Sequence, residues 1–357
     1  MKAVVLVGHG GTEQLEYRVV ADPVPATGEV LIRVGAAGLN NTDIWTREGA
    51  YGAAGNVSAV QGWRREPLVF PRIQGADICG RIAAVGAGVL GSRVGERVLV
   101  DNALYGEGEA GGLLSAGLIG SERDGGFAEL VCVPAANAHT IDSALTDEEL
   151  ACFPTAYVTA ERMLNRARVA AGETVLVTGA SGGVGTGLVQ LAKIRGASIV
   201  AVAGPGKEEA VRSLGADAVV VRREGLIPAV ERALGKRPLD VAADVVGGQQ
   251  VGTLLELLRP GGRYVVAGAI AGPLATLDLR TIYLKQLDVL GSTMGDRHEF
   301  DALVRHIESR RLRPLVWATY PLSELARAQE DFVRKDYVGK LVVLPDARTL
   351  ELFTGSP

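Results

Sequence analysis

The run Ala180, Ser181, Gly182, Gly183, Val184, Gly185 has the residue types and spacing of a phosphate cradle. It is G-x-G-x-x-G with alanine in the first place. The glycine at 182 lets a diphosphate approach the backbone, and the one at 185 lets a strand and a helix pack closely. Such a loop attracts anions when it opens a helix, because the first amide hydrogens lack partners and the dipole is positive at that end. The flanking sequence supplies those elements. Residues 174–178 form a short β-branched apolar run bounded by Gly172 and Gly179, which reads as a buried parallel strand. Val184, Leu188, Leu191 and Ala192 then recur at helical spacing, and residues 198–203 read as a second buried strand. Strand, glycine turn, helix and strand make the βαβ unit of a dinucleotide-binding sheet; an ordinary tight turn is the alternative.

The end of the second strand separates the two nicotinamide dinucleotides. An NAD site usually carries an acidic residue there, about 20 residues after the turn, for the ribose 2′-hydroxyl. Here Ala203, Gly204, Pro205, Gly206 and Lys207 precede the first carboxylate, Glu208. A carboxylate would repel a 2′-phosphate and a cation attracts one, so this stretch favours NADPH, with Lys207 and Arg222 as the cations. Both could instead be solvated surface charges.

The 357 residues suffice for two domains, and 47 glycines fit a chain with many tight turns. Lys and Arg total 37 against 41 Asp and Glu, a formal charge of −4, which offers neither nucleic acid nor an anionic membrane an electrostatic reason to bind. No apolar run approaches the ~20 residues that span a bilayer, and the start is too short for a signal peptide, so a cytoplasmic protein is expected. The cysteines, Cys79, Cys132 and Cys152, are odd in number and far apart, and the four histidines do not pair with them at ligand spacing.

Residues 1 to about 100 are short β-type runs split by Gly and Pro, as in a small barrel or sandwich. Residues 101–126 read as a glycine-heavy segment without periodicity. From 152 strands and helices alternate, which predicts a doubly wound α/β sheet over 152–294. Beyond 294 come an amphipathic helix around Phe300, Leu303, Val304 and Ile307, another over 323–332, and a strand over 340–344. A lone strand is unstable, so the tail is expected to return to the first domain, giving one domain of 1–151 with 295–357 and a cleft between the two bodies as the expected site.

Several segments together resemble the medium-chain dehydrogenase/reductases, and within them the zinc-free quinone oxidoreductase-like branch. They are Pro25, Ala26, Thr27, Gly28, Glu29, Val30; Gly38, Leu39, Asn40, Asn41, Thr42, Asp43; Gly75, Ala76, Asp77, Ile78, Cys79, Gly80; Val85, Gly86; and Gly95, Glu96, Arg97, Val98. To these are added the cradle, Asp244 to Gly247, Pro260 to Gly262, Gly291, Ser292 and Gly339 to Val342. The resemblance implies a GroES-like β-barrel catalytic domain with an inserted Rossmann sheet. Zinc-dependent relatives have cysteine and a following His-x-Asp where this chain has Asn40 to Asp43, His-Glu where it has Ala76 and Asp77, and a third ligand near Ala151. Amide and methyl groups do not replace thiolate and imidazole, so no metal is expected. The structural zinc lobe of those relatives would fall in the cysteine-free 101–126 segment.

Hydride delivered to a simple ketone makes a localised alkoxide, which a metal can stabilise. Delivered to a quinone or an enone it makes a delocalised anion, for which hydrogen-bond donors can suffice. The resemblance therefore implies an NADPH-dependent, zinc-independent reductase of a small electrophile: a quinone, an enone or a related carbonyl compound. The other readings are an NADPH-binding structural or redox-sensing protein with little turnover and, against its ligand positions, a zinc alcohol dehydrogenase. Asn40, Asp43 and Tyr51 match pocket positions of the relatives, Asn40 to orient the acceptor oxygen and Tyr51 to donate a hydrogen bond or proton. Trp45 would be an apolar wall. Asn40 as a turn residue, Asp43 as a loop organiser and water or the nicotinamide ribose as proton source stay open. Residues 52–72 exceed a minimal relative and suit a lid, with Trp63 over the substrate, or a surface loop. Thr155 and Thr159 match positions near the nicotinamide, or cap a helix; Val246, Gly268 and Ala269 follow successive strands at the ligand-binding edge of the sheet. Relatives are commonly homodimers or homotetramers, often through edge pairing of their nucleotide-domain sheets.

Overall fold

The structure is a computed structural model that describes residues 1–50, 68–106, 112–222 and 226–345, with the side chains of 106 and 112–116 left aside. The chain divides into two compact units. One comprises Met1–Thr155, Pro314–Asp336 and the segment from Lys340 onward; the other comprises Ala156–Arg313 and Tyr337–Gly339.

The first unit is a β-barrel-type fold. Its strands are β1 (Lys2–Leu6), β2 (Leu15–Val19) and β3 (Glu29–Gly38), followed by helix α1 (Asn41–Glu48). Then come β4 (Arg72–Ile73), β5 (Asp77–Val85), β6 (Arg97–Val100), β7 (Ala103–Gly106), β8 (Gly112–Leu118), β9 (Leu130–Pro134) and β10 (Ala138–Thr140). The short α2 (Asp147–Leu150) and the start of α3 (Pro154–Arg166) close this part. β3 is the spine: it pairs with β5, with β9 and with a strand from the far end of the chain. Its alternating burial, with Val30, Ile32, Val34 and Ala36 inside, is the period-two pattern of a strand covered on one face. Segment 101–126, expected to lack regular structure, carries the β7–β8 hairpin. Glycine hides a hairpin from pattern reading because it packs no side chain on either face.

The second unit alternates strictly. It runs β11 (Thr174–Val177), α4 (Gly183–Ile194), β12 (Ser198–Ala203), α5 (Glu208–Ser213), β13 (Ala218–Val221), α6 (Leu226–Leu234) and β14 (Val241–Asp244). It continues with α7 (Gln250–Leu257), β15 (Arg263–Val266), α8 (Leu279–Lys285), β16 (Asp288–Gly291) and α9 (Arg297–Glu308). All pairings are parallel, in the order β13-β12-β11-β14-β15-β16, the doubly wound Rossmann arrangement. Leu176, Val200, Ala242, Leu254 and Tyr264 centre one of its cores.

The tail divides between the units. Helix α9, expected in the barrel domain, belongs to the nucleotide unit, where Arg162 of α3 bonds Asp296 and Glu299 and the apolar Phe300 and Leu303 are buried. The second compact unit thus spans Ala156–Arg313 with Tyr337–Gly339, beside the 152–294 expected for the doubly wound sheet. After α9, β17 (Val316–Pro321), α10 (Leu325–Arg334) and β18 (Lys340–Leu344) return to the barrel, β18 pairing antiparallel with β3 as a strand in need of a sheet must. Among the described residues no helix is long and apolar enough to cross a membrane.

Candidate active site

Three strand ends assemble a polar cluster in the barrel unit. β3 ends at Gly38, which lies opposite Asp77 at the start of β5. β18 starts at Lys340 and runs on the other side of β3, with Val342 opposite Gly38. Gly38 is needed at this crossing, since a Cβ there would come 2.3 Å from the carbonyl oxygen of Ala151. Two residues past β3, Asn40 stands at the N-cap position of α1, so the local structure at the residue that could also be read as a turn is a helix start.

Lys340 ties these ends together. Its Nζ donates to Asn40 Oδ1 at 2.6 Å and to Asp77 Oδ2 at 2.9 Å. Both charges are buried, Lys340 at 4% and Asp77 at 0% side-chain exposure, a placement that is tolerable only when the remaining lone pairs are bonded too. They are: Asp77 Oδ1 accepts the Thr155 backbone N–H at 2.7 Å, the Thr155 hydroxyl at 2.5 Å and Asn102 Nδ2 at 3.3 Å. Asp43 lies beside this pair. Its Oδ2 accepts the Asn40 backbone N–H at 2.7 Å, and its carbonyl accepts Gln74 Nε2 at 2.9 Å. Burial, with the nearby Asp77 charge, raises its carboxyl to about 7, against the pull of backbone N–H groups and of Lys340. Asp43 thus organises the start of α1 and can also exchange a proton near neutrality. Trp45 is half-buried on the same helix.

The residues present do not fit a catalytic zinc. Asn40 already turns its oxygen to an ammonium, while Ala76 and Ala151 are buried methyl groups. Neighbouring Cys152 donates to the Glu148 carbonyl at 3.4 Å, and burial pushes its thiol up to about 12, so it offers no thiolate. Elsewhere among the described residues Asp296, His298 and Glu299 converge, but both carboxylates already hold Arg162 and shape the start of α9.

In the nucleotide unit the cradle has the predicted form. A Cβ on Gly185 would lie 2.1 Å from the Gly179 carbonyl oxygen and 2.6 Å from Ala180 Cα, so only glycine lets the helix start this close to the strand. A Cβ on Gly182 would meet its nearest atom, the Gly179 carbonyl oxygen, only at 3.5 Å. That open side is where a diphosphate would approach. No side chain caps α4, which leaves the N–H groups of Gly183, Val184 and Gly185 to an anion; Ser181 is braced instead through its carbonyl, which accepts the Gly339 N–H at 2.8 Å. These residues fit a nicotinamide dinucleotide, whose diphosphate the first turn of α4 would hold.

At the carboxyl edge of the sheet, buried Asp244 accepts the Val246 N–H at 2.9 Å and the Tyr264 hydroxyl at 2.7 Å, and bonds Thr178. The next turn is pressed against it: a Cβ on Gly268 would lie 2.6 Å from the Val245 carbonyl oxygen, and one on Gly247 3.1 Å from Ala269 Cα. Lys207 and Arg222 share an edge as well. Ala203 pairs with Val221, Arg222 donates its N–H to Ala203 at 2.8 Å, and the Lys207 stem lies 3.9 Å from a Cβ position on Gly204.

The predicted residues thus fall into two groups. Asn40, Asp43, Trp45 and Thr155 belong to the barrel unit; Thr159, buried on α3, and the cradle and edge residues belong to the nucleotide unit. Tyr51 and Trp63 lie outside the described residues. Sequence reading passed over Asn102, the bonds of Asp77 and Lys340, and the role of Asp244. A signal existed: Asp77 and Lys340 each open an otherwise apolar run, and a charge inside a buried strand has to find its opposite.

Comparison with known proteins agrees with this division. A family model for the alcohol dehydrogenase GroES-like domain matches residues 26–143, and one for zinc-binding dehydrogenase matches 183–309. Acryloyl-coenzyme A reductase of Metallosphaera sedula is 31% identical over 354 residues, covering 96% of this chain and 99% of the relative. Human quinone oxidoreductase is 29% identical over 357 residues, covering 96% and 98%. A solved structure from Sinorhizobium meliloti, named provisionally as an alcohol dehydrogenase, is 58% identical with a TM-score of 0.93, and 97% of each chain is covered. A GroES-like unit joined to a Rossmann sheet with an open cradle defines a class of nicotinamide-dependent oxidoreductases. The chain belongs to the medium-chain dehydrogenase/reductase superfamily.

Proposed function

We propose that the protein reduces a conjugated carbonyl compound, a quinone or an enone, with NADPH and without a metal. One observation carries this reading: where relatives hold a metal the cluster has the Asn40 amide, its oxygen bonded to the Lys340 ammonium, and an amide N–H so backed suits hydrogen bonding to a spread negative charge. The names of two relatives, one acting on an acryloyl thioester and one on quinones, fall in that chemical class. Bound NADPH supplies the hydride. Asn40 Nδ2 donates to the acceptor oxygen as charge develops there, Trp45 walls the pocket, and Tyr51, Asp43 through the adjoining network, or water returns the proton. The preference for NADPH rests on Lys207 and Arg222 beside a strand end without a carboxylate.

Stopped-flow oxidation of bound NADPH against quinones, enones, aldehydes and ketones, repeated with NADH, tests this. Quinones or enones should react fastest; binding without oxidation across the panel would leave a dinucleotide-binding protein with little turnover. The protein is proposed to act in the cytoplasm as a homodimer. Strand β16 is an edge of the six-stranded sheet, with Val289 48%, Leu279 68%, Tyr283 62% and Leu284 72% exposed around it. A bare edge beside apolar surface suits pairing with a second copy of the chain. Val289→Lys should lower the mass measured by sedimentation to that of one chain.

A further inference from the structure

An asparagine amide is nearly symmetric in shape, so only its partners decide whether it presents oxygen or nitrogen to a ligand. At Asn40 the deciding partner is Lys340. An ammonium has no lone pair, and the amide atom 2.6 Å from Lys340 Nζ has to be Oδ1. Nδ2 then faces the other way, and its hydrogen bond among the described residues of the barrel unit is the long one to the Gly38 carbonyl at 3.4 Å, near the limit of such a bond. Among those residues most of its donor capacity is left for a ligand. Lys340 is itself held in place: Asp77 Oδ2 takes a second ammonium hydrogen at 2.9 Å, and Asp77 Oδ1 is anchored by Thr155 and Asn102.

We infer that Lys340 is a positioning residue for the reaction: it locks the Asn40 amide with Nδ2 outward, so that the site presents a donor, and no acceptor, to the substrate oxygen. The inference rests on the proposed reduction of a conjugated carbonyl and says which atom recognises it. The class of substrate follows. It has an oxygen that gains negative charge during the reaction and accepts one hydrogen bond, as a quinone or enone oxygen does. The positive charge behind the amide also polarises its N–H groups, which strengthens the bond as the oxygen becomes anionic. Released, the amide could turn Oδ1 outward, where two oxygen lone pairs would face each other.

Lys340→Met should lower kcat for a quinone about tenfold to a hundredfold with KM changed little, because the bond matters most in the transition state. Lys340→Arg should recover part of the rate. The decisive measurement is a cycle with Asn40→Ala: once the amide is gone, Lys340→Met should cost almost nothing more. An equal loss in both backgrounds would mean that Lys340 acts on folding alone and would overturn the inference while leaving the reductase reading intact. If Lys340→Met does not fold because Asp77 is left buried without its cation, Asp77→Asn with Lys340→Met removes both charges and serves in the same cycle. If the wild-type protein reduces none of the panel, the side-chain amide resonance of Asn40, labelled with ¹⁵N and assigned by its absence in Asn40→Asp, decides. It should shift and broaden in Lys340→Met, and an unchanged resonance would refute the lock.

Discussion

The two candidate binding regions are made by opposite means. In the nucleotide unit the groups that would hold a ligand are backbone N–H groups within seven consecutive positions, Gly179 to Gly185, and the side chains matter mainly by being absent. In the barrel unit they are side chains brought together from afar: Lys340 bonds Asn40 across 300 positions and Asp77 across 263. A local backbone site tolerates almost any neighbour but not a Cβ in the wrong place. A cluster of side chains tolerates backbone adjustment but not the loss of one partner.

The largest effect should come from breaking the local site. Gly185→Ala puts a methyl group 2.1 Å from a carbonyl oxygen that cannot move without shifting the strand, so it should lower stability by about 2–4 kcal/mol and abolish dinucleotide binding. Gly182→Ala sharpens the contrast. With its nearest atom 3.5 Å away, its Cβ fits the fold and meets only the approaching ligand, so Tm should stay within a degree or two while the Kd for NADPH rises. Thermal unfolding and NADPH fluorescence on both variants separate the two roles, and equal loss of Tm would contradict them.

The same contrast explains what the sequence could tell. The cradle was legible because spacing, strand and helix occupy one contiguous stretch, and the return of the tail was legible because β18 could not stand alone. The lock on Asn40 was not. It depends on the register of β3 against both β5 and β18, which no local pattern encodes. The partner of helix α9 was not legible for a related reason: its apolar stripe demanded a partner without naming it, and Arg162 of α3 bonds its two carboxylates. The β7–β8 hairpin was lost to glycine, which carries no periodicity.

A smaller effect belongs to Asp43, which bonds the nearby Asn40 N–H but is buried beside Asp77 and Lys340, brought from afar. With its carboxyl raised to about 7, the folded protein keeps a proton between pH about 4 and about 7 that the unfolded chain has released. Bound protons in the folded state exceed those in the unfolded state over this window, so stability falls as pH rises through it, by up to about 4 kcal/mol from this group. Below about pH 4 both states hold the proton and the slope vanishes. Asp43→Asn keeps an oxygen for the Asn40 N–H but cannot titrate. Chemical denaturation at pH 5 and pH 8 should show a drop in the wild type that is several-fold smaller in Asp43→Asn. Equal drops would place the pH dependence elsewhere, as in Glu161, whose carboxyl burial also raises.

The smallest effect expected is on the choice of dinucleotide, and it joins the two ways of building a site. Lys207 and Arg222 lie 15 positions apart in sequence, yet the parallel pairing of Ala203 with Val221 brings both to one sheet edge. Lys207 sits at the start of α5, whose first turn also carries Glu208 and Glu209, so a 2′-phosphate there would meet cations and carboxylates together. A partly exposed, salt-screened contact of this kind contributes about 1–2 kcal/mol, roughly a tenfold change in affinity. Lys207→Ala with Arg222→Ala should therefore raise the Kd for NADPH about tenfold and leave that for NADH within twofold, and the NADPH deficit should shrink in 0.5 M salt, at about half the ~10 Å Debye length of 0.1 M. Equal weakening of both dinucleotides would assign the two cations to the diphosphate or to the surface, and would remove the main support for NADPH over NADH without touching the cradle.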